Sequence, residues 1–312
     1  MNLLAILRAR LGALPSGDHS AGLQAVLQHV EVAVAHLERG QDARDPTAFT
    51  DAIYRTNQAF EGSLKEAYRV LTGQDPSKCT PYDLETYFQQ NATLRRRVVD
   101  QFTNYRTEWR NPSTHDYRLE FDDDEALLAI VSVCVFAIVL TDQIAERLSF
   151  QAARVAAGVH PPAEGVGPLL SRTVELLQQF ATRRRETVDE SEPRFWESEL
   201  VGAIAGFLSA AMPSANVVTE APLSPEVRLE ADLFVGESGQ QLLIEVKQAR
   251  HVRGDVERAM QRITRYMDVS GVKEAIVYFH PSNAASEMTV QERKLASLAA
   301  RVVLLIPRRK TA

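Results

Sequence analysis

Asp232, Glu245 and Lys247 are the residues of this chain whose types and spacing could do chemistry. They lie in two apolar runs, Ala231 to Val235 and Gln241 to Lys247. Between the runs, Gly236-Glu237-Ser238-Gly239 is a cluster of glycine and polar residues that reads as a hairpin turn. Folding about that turn brings Asp232 level with Glu245, roughly 5 Å apart where both face the same side. Period-two alternation puts Glu245 and Lys247 on one face and Val246 on the other. Two carboxylates and an ammonium converging at one sheet edge stabilise a protein poorly, because charges lose their water on burial. They are suited instead to holding a hard divalent cation, Mg²⁺ or Mn²⁺, beside a water molecule and a phosphate. Asp232 and Glu245 are then the metal ligands, with the Val246 backbone carbonyl as a third oxygen. Lys247 orients or deprotonates the attacking water, or neutralises charge on the phosphate. The bland alternative is a strand whose Glu-x-Lys end is leaving the core.

The elements that must position these residues can be read on either side. Phe195 to Ala211 has Leu200, Ile204, Phe207 and Leu208 on one helical face. Short strands follow near Val217-Val218, Leu229 to Val235 and Gln241 to Lys247. A helix spans about Asp255 to Met267, then an apolar strand Ala275 to Phe279. A short helix near Gln291 to Ala300 and a strand at Val302 to Ile306 close the chain.

This order of parts, over about 120 residues, resembles the PD-(D/E)xK nuclease superfamily, the fold of many restriction endonucleases and of Holliday-junction resolvases. The resemblance implies an α/β restriction endonuclease-like domain and a metal-dependent phosphodiester hydrolase. In the resolvase-like branch an acid on the first helix joins the site. Trp196-Glu197-Ser198-Glu199-Leu200-Val201 is similar to that pattern, and Glu197 is placed in the role, with Glu199 as the alternative. The family often adds Gln and Tyr from the helix after the Lys strand. Gln261 and Tyr266 are present, but five residues apart rather than the usual four.

Charge points to phosphate locally. The chain carries a formal net charge of −6, which argues against a protein that coats nucleic acid non-specifically. Glu190 to Ile244 holds nine acids and two bases, whereas Glu245 to Ala312 holds seven acids and thirteen bases. Arg258, Arg262 and Arg265 share a helical face, with Arg250 and Arg253 in the loop before it. Together with Gln261 and Tyr266 they form the candidate nucleic-acid-binding set; the alternative is a solvated helix face.

Residues 1 to 157 show helical periodicity and almost no strand signal. Leu23, Val26, Leu27, Val30, Val34 and Leu37 make one stripe; Phe49, Ile53, Phe60, Leu64 and Leu71 make a second. A third runs from Leu84 through Phe88, Leu94 and Phe102 to Tyr105. A fourth helix, Ala126 to Leu140, is apolar nearly all round and follows Asp122-Asp123-Asp124-Glu125, acids suited to a helix N-terminus. Fifteen residues fall short of the roughly 20 that span a bilayer, so a four-helix bundle with a central or interfacial helix is expected. Between the third and fourth helices lies Arg110-Asn111-Pro112-Ser113-Thr114-His115. An arginine, a polar residue after it and a histidine five positions on resemble the Arg-x4–6-His signature of HEPN domains. Those are small helical bundles, often dimeric, and many are metal-independent ribonucleases of antiviral defence and toxin systems. The resemblance implies catalytic roles for Arg110, Asn111 and His115 with no cofactor. Chemically, His115 could move the proton of the RNA 2′-hydroxyl or of the leaving oxygen, and Arg110 could stabilise the charged phosphorane.

At 45% hydrophobic, each half is long enough to bury its own core. Two cysteines, Cys79 and Cys134, give neither a zinc spacing nor a disulfide framework. The apolar run in Met1 to Leu14 is too short for a signal peptide. The expectation is therefore a cytoplasmic, multidomain protein: an all-α HEPN-like bundle at 1–157, a linker and connecting helix at 158–189, and the nuclease-like α/β domain at 190–312. Its partners are expected to be DNA or RNA and a second copy of itself, with no membrane. The alternatives are a single active C-terminal nuclease on a helical dimerisation and sensing scaffold, and a non-catalytic nucleic-acid-binding protein.

Overall fold

The computed structural model describes residues 2–91, 93–115, 120–159, 167–187, 197–224, 226–248, 252–281 and 286–309. A helical N-terminal region is followed by a C-terminal region built on a mixed six-stranded sheet. The chain divides into two compact units, 1–147 and 148–312.

In the first unit α1 (Leu3–Gly12), α2 (Ser20–Ala43), α3 (Thr47–Thr72), α4 (Pro81–Gln90), α5 (Arg96–Tyr105) and the short α6 (Asn111–His115) precede α7 (Asp123–Val159). The first two apolar stripes fall on α2 and α3 as expected, with Val26, Val30, Ile53, Phe60 and Leu64 buried. The third does not make one helix. Its apolar residues are buried, but α4 ends at Asn91, whose N–H reaches the Tyr87 carbonyl, and α5 restarts after Arg95. The stripe's spacing is kept on both sides of the break, so apolar periodicity cannot reveal it. Between α5 and α6 the backbone widens into a π turn, Arg106–Arg110, closed by the Asn111 N–H on the Arg106 carbonyl.

The fourth helix is far longer than Ala126 to Leu140. Asp122 and Glu125 cap it reciprocally: the Asp122 N–H donates to Glu125 Oε2 at 3.0 Å, and the Glu125 N–H to Asp122 Oδ1 at 2.9 Å. At 37 residues α7 has the length and hydropathy to cross a bilayer, and 56% of its most apolar stretch is buried inside the protein. Cys134 lies in that buried part, and burial pushes its thiol up to about 11, the behaviour of a small core hydrophobe.

The second unit begins inside α7. Helix α8 (Leu169–Thr187), expected to be a connector, contributes Leu176, Leu177 and Phe180 to the core of this unit. Helix α9 (Glu197–Ala211) follows, then β1 (Asn216–Pro222), β2 (Glu230–Glu237), β3 (Gln240–Gln248), α10 (Val252–Ser270), β4 (Glu274–His280), β5 (Ser286–Leu295) and β6 (Ala300–Arg309). The strand order is β1-β2-β3-β4-β6-β5; β3, β4 and β6 run parallel and the other neighbours antiparallel. The expected helix from Gln291 to Ala300 is instead the edge strand β5 and a 3-10 turn, Ala296–Leu298. Its charged residues favour a helix locally, but the ladder with β6 wins. Glu292, Arg293 and Lys294 then charge an edge strand, a common guard against edge-to-edge pairing.

The sheet is covered on both faces. Leu242, Ile244 and Val246 of β3 pack under α8 and α9, while Leu243 packs with Val277, Phe279 and Leu304 under α10. The fit of α9 is close: a Cβ on Gly206 would sit 2.2 Å from the Phe150 carbonyl oxygen of α7.

Candidate active site

The β2–β3 hairpin turns on Ser238 and Gly239, both left-handed at φ 48° and 82°, the pairing of a type I′ turn. The turn is two residues rather than the four read from sequence, and both strands run up to it. It sets Leu233 opposite Ile244, the last pair of the ladder, and Asp232 and Glu245 are the next residue of each strand beyond it. Asp232 Oδ2 accepts the Val246 N–H at 2.7 Å, which fixes the carboxylate against the backbone of β3.

Around Lys247 Nζ the expected residues come together. Glu245 Oε1 lies at 2.8 Å, the Val246 carbonyl at 2.9 Å, Glu197 Oε1 at 3.3 Å and Asp232 Oδ2 at 3.8 Å. Four oxygens from α9, β2 and β3 thus converge on one positive charge. Glu245 is fully buried, and its Oε2 has no hydrogen-bond partner among the described residues. Glu197, by contrast, opens α9 with its side chain 61% exposed, while Glu199 is buried.

These positions govern the electrostatics. Burial first, and Glu245 second, push Asp232 up to about 7, against Lys247 and the Val246 N–H, which favour its charged form. For Lys247 burial disfavours the ammonium, but Asp232 and Glu245 outweigh it and raise its pKa. The site therefore holds more negative charge than one lysine comfortably neutralises.

From the helix after β3, Arg262 Nη1 reaches Glu245 Oε1 at 3.2 Å, and its Nε–H donates to the Tyr266 hydroxyl. The guanidinium also stands over the Tyr266 ring, 5.3 Å from its centroid. The residue paired with Tyr266 is thus Arg262, four positions before it, whereas Gln261 is exposed. Arg258 and Arg265 are exposed on the same helix; Arg250 and the side chain of Arg253 lie outside the described residues. The i, i+4 step from Arg262 to Tyr266 was the available signal for this pair.

Asp232, Glu245 and the Val246 carbonyl fit a hard divalent cation. The donors are all oxygen, they already surround a positive group, and a buried carboxylate oxygen is left without a partner. No cluster of three or more His, Cys, Asp or Glu side chains suited to a metal exists among the described residues. A cation would thus rest on two carboxylates and the backbone, as Mg²⁺ sites often do with water completing the shell.

In the first unit Arg110 donates to Asn111 Oδ1 at 3.1 Å and its Nε lies 3.6 Å from Glu85 Oε1. Glu85, a buried acid of α4 that the sequence reading passed over, is disfavoured as a charge by burial; Arg110 and Arg106 partly offset this, and its pKa rises. The segment is braced from beneath. The Tyr105 hydroxyl sits 2.7 Å from Thr56 Oγ1 and 3.0 Å from Asn57 Oδ1. Asn57 Nδ2 donates to Ser113 Oγ at 2.7 Å, and Ser113 Oγ to the Trp109 carbonyl at 2.7 Å. His115 ends α6, and its side chain lies outside the described residues.

No protein-family model matches this chain, and neither any curated protein nor any solved structure matches it.

The raised pKa of Asp232 makes a stability prediction. From about pH 4 to 7 the native carboxyl keeps a proton that the unfolded chain has released, so this group's contribution falls as pH rises through that window. Asp232→Asn keeps an acceptor for the Val246 N–H and removes the charge. Without divalent cations at pH 8 it should therefore be more stable than wild type by on the order of 1–3 kcal/mol, a gap that closes toward pH 4. Millimolar Mn²⁺ should raise the melting temperature of wild type alone. A variant less stable than wild type at pH 8 would contradict this account of the site.

Proposed function

We propose that this chain is a metal-dependent nuclease of the PD-(D/E)xK type, hydrolysing phosphodiesters of nucleic acid, DNA in the first instance. The observation that carries it is the convergence of Asp232, Glu245, the Val246 carbonyl and Glu197 on the Lys247 ammonium. A Mg²⁺ or Mn²⁺ ion held by Asp232, Glu245 and the Val246 carbonyl would polarise the phosphate and acidify a water. Lys247, less than a quarter exposed and ringed by oxygens, stays protonated at neutral pH and serves as a positive charge rather than a free base. Its reach to four oxygens lets it follow negative charge as it grows on the phosphate. Glu197, exposed at the rim, is placed to order water or a second cation. Arg258 and Arg265, exposed on α10, would give that helix face an affinity for the phosphate backbone; Arg253 falls at the start of α10 rather than in the loop before it.

For the helical half we propose a HEPN-like domain in which Arg110, Asn111 and His115 cleave RNA without metal. The competing reading, one active nuclease with this half as a dimerisation and sensing scaffold, draws on the burial of Arg110. Its side chain is 16% exposed and faces the buried Glu85. Two nuclease-type modules in one cytoplasmic chain suit a role in prokaryotic antiviral defence, by analogy alone. The dimer is proposed from α7, where Leu127 and Leu128 are 45% and 55% exposed and Val131 is 37% exposed on the same stripe.

Purified protein incubated with DNA and RNA, with Mg²⁺, Mn²⁺ or EDTA, tests the catalytic reading. DNA cleavage should require the metal, vanish in Asp232→Ala and Lys247→Ala, and survive His115→Ala. RNA cleavage should survive EDTA and vanish in His115→Ala. Wild-type rates of DNA cleavage in Asp232→Ala would remove the proposed centre, and RNA cleavage that needs metal and Lys247 but ignores His115 would leave the helical half a scaffold.

Sedimentation of the full chain at micromolar concentration tests the dimer. The wild type should run as a two-fold dimer, and Leu128→Glu with Val131→Glu should weaken it by about tenfold or more. A monomeric wild type, or a dimer indifferent to both substitutions, would refute this interface.

A further inference from the structure

We infer that Arg262 is an exchangeable counter-ion: it clamps Glu245 in the absence of a divalent cation and is passed to a nucleic-acid phosphate when one binds. The inference rests on the metal-site reading above and adds a coupling to it. Glu245 Oε1 is shared by Lys247 Nζ at 2.8 Å and Arg262 Nη1 at 3.2 Å, two cations on one fully buried oxygen. Both sit on one oxygen of the carboxylate whose other oxygen, Oε2, has no hydrogen-bond partner among the described residues and is open to a divalent ion. A divalent ion on Oε2 would be a third positive centre on one carboxylate, and its repulsion weakens the hold on whichever cation is least secured elsewhere.

The geometry selects Arg262. Lys247 has three further oxygens within 3.8 Å to hold it in place. Arg262 makes its ion pair with Glu245 alone among the described carboxylates, with Asp232 a weaker influence, and its side chain is 47% exposed. Its guanidinium is held at the Nε end by the Tyr266 hydroxyl and stands over that ring, so release of Glu245 leaves the Nη end to turn toward solvent about this contact. A planar, permanently charged fork on an exposed face beside Arg258 and Arg265 is well formed for a phosphate. Coupling of this kind is reciprocal: a phosphate that captures Arg262 bares Glu245 for the ion, and the ion releases Arg262 for the phosphate.

The test measures Mn²⁺ binding to the full chain by calorimetry, and binding of a short DNA duplex by fluorescence anisotropy with and without Ca²⁺. Arg262→Met keeps an unbranched side chain on this helix face and removes the charge; it should bind Mn²⁺ about fivefold tighter than wild type, an effect loss of structure would not produce. The same variant should lose the increase in DNA affinity that Ca²⁺ gives the wild type. Arg262→Lys should stay near wild type in Mn²⁺ affinity. Equal or weaker Mn²⁺ binding by Arg262→Met, with wild type binding and Asp232→Asn not binding, would overturn the exchange and leave the metal site standing. Absence of Mn²⁺ binding in wild type and in Arg262→Met alike would overturn both.

Discussion

The burial of Glu245 is the constraint on which the second unit depends. A carboxylate with no solvent exposure costs several kcal/mol unless positive charge and fixed dipoles surround it. Lys247 lies two residues along the same strand and Arg262 on the helix that follows; Asp232, on the neighbouring strand, adds to the difficulty. A site that is over-supplied with negative charge and still folds must be held by something other than its charges. Here it is held by the sheet. Leu242, Ile244 and Val246 alternate with Leu243, Glu245 and Lys247, so each charged residue is flanked by apolar neighbours locked under α8 and α9. The parallel ladder to β4 ties every residue from Leu243 to Gln248 to a partner.

The helical unit solves a related problem with neutral groups. Tyr105, Thr56, Asn57 and Ser113 form a buried hydrogen-bonded chain that runs from α3 to the carbonyl of Trp109. Such a chain is favourable only while each member keeps its partner, so it fixes the register between α3 and the π turn. The π turn in turn lets the backbone change pitch just before Pro112, which has no N–H to give to a helical ladder. Arg110 sits at the seam of these two devices and faces Glu85, so its position is set by packing beneath it as much as by its own charge.

Much of the candidate site was legible because strand alternation and a two-residue turn are local rules. Ser238-Gly239 sets the hairpin register, and register carries Asp232 to Glu245 without any long-range information. The misses share a different cause. Strand β5 contains Glu292, Arg293 and Lys294, which suit a helix in isolation; only its pairing with β6 makes it a strand. The break at Asn91 leaves the apolar stripe in phase, so the stripe is blind to it. Glu85 goes unmarked in the sequence because nothing local announces the two arginines that face it. Arg262 was read as one of three arginines on a basic face, while its bond to Tyr266 and its reach to Glu245 depend on how α10 lies on the sheet.

The two candidate centres differ in how their charge is balanced, and this difference bears on what each can do. In the second unit Asp232, Glu245 and Glu197 face Lys247 and Arg262, with a buried oxygen left over, and on the reading proposed above that imbalance would favour a cation. In the first unit Arg110 already has a buried carboxylate opposite it and an amide oxygen beside it. A phosphate arriving there competes with Glu85 for the same guanidinium, whereas a divalent ion arriving at Asp232 and Glu245 relieves a repulsion already present. The first exchange is close to neutral in charge and needs further contacts to drive it. The second, on the reading proposed above, would start from a charge imbalance that favours it. For that reason we propose the sheet site as the primary chemical centre, with the helical site depending on groups beyond Arg110 and Asn111 to become one.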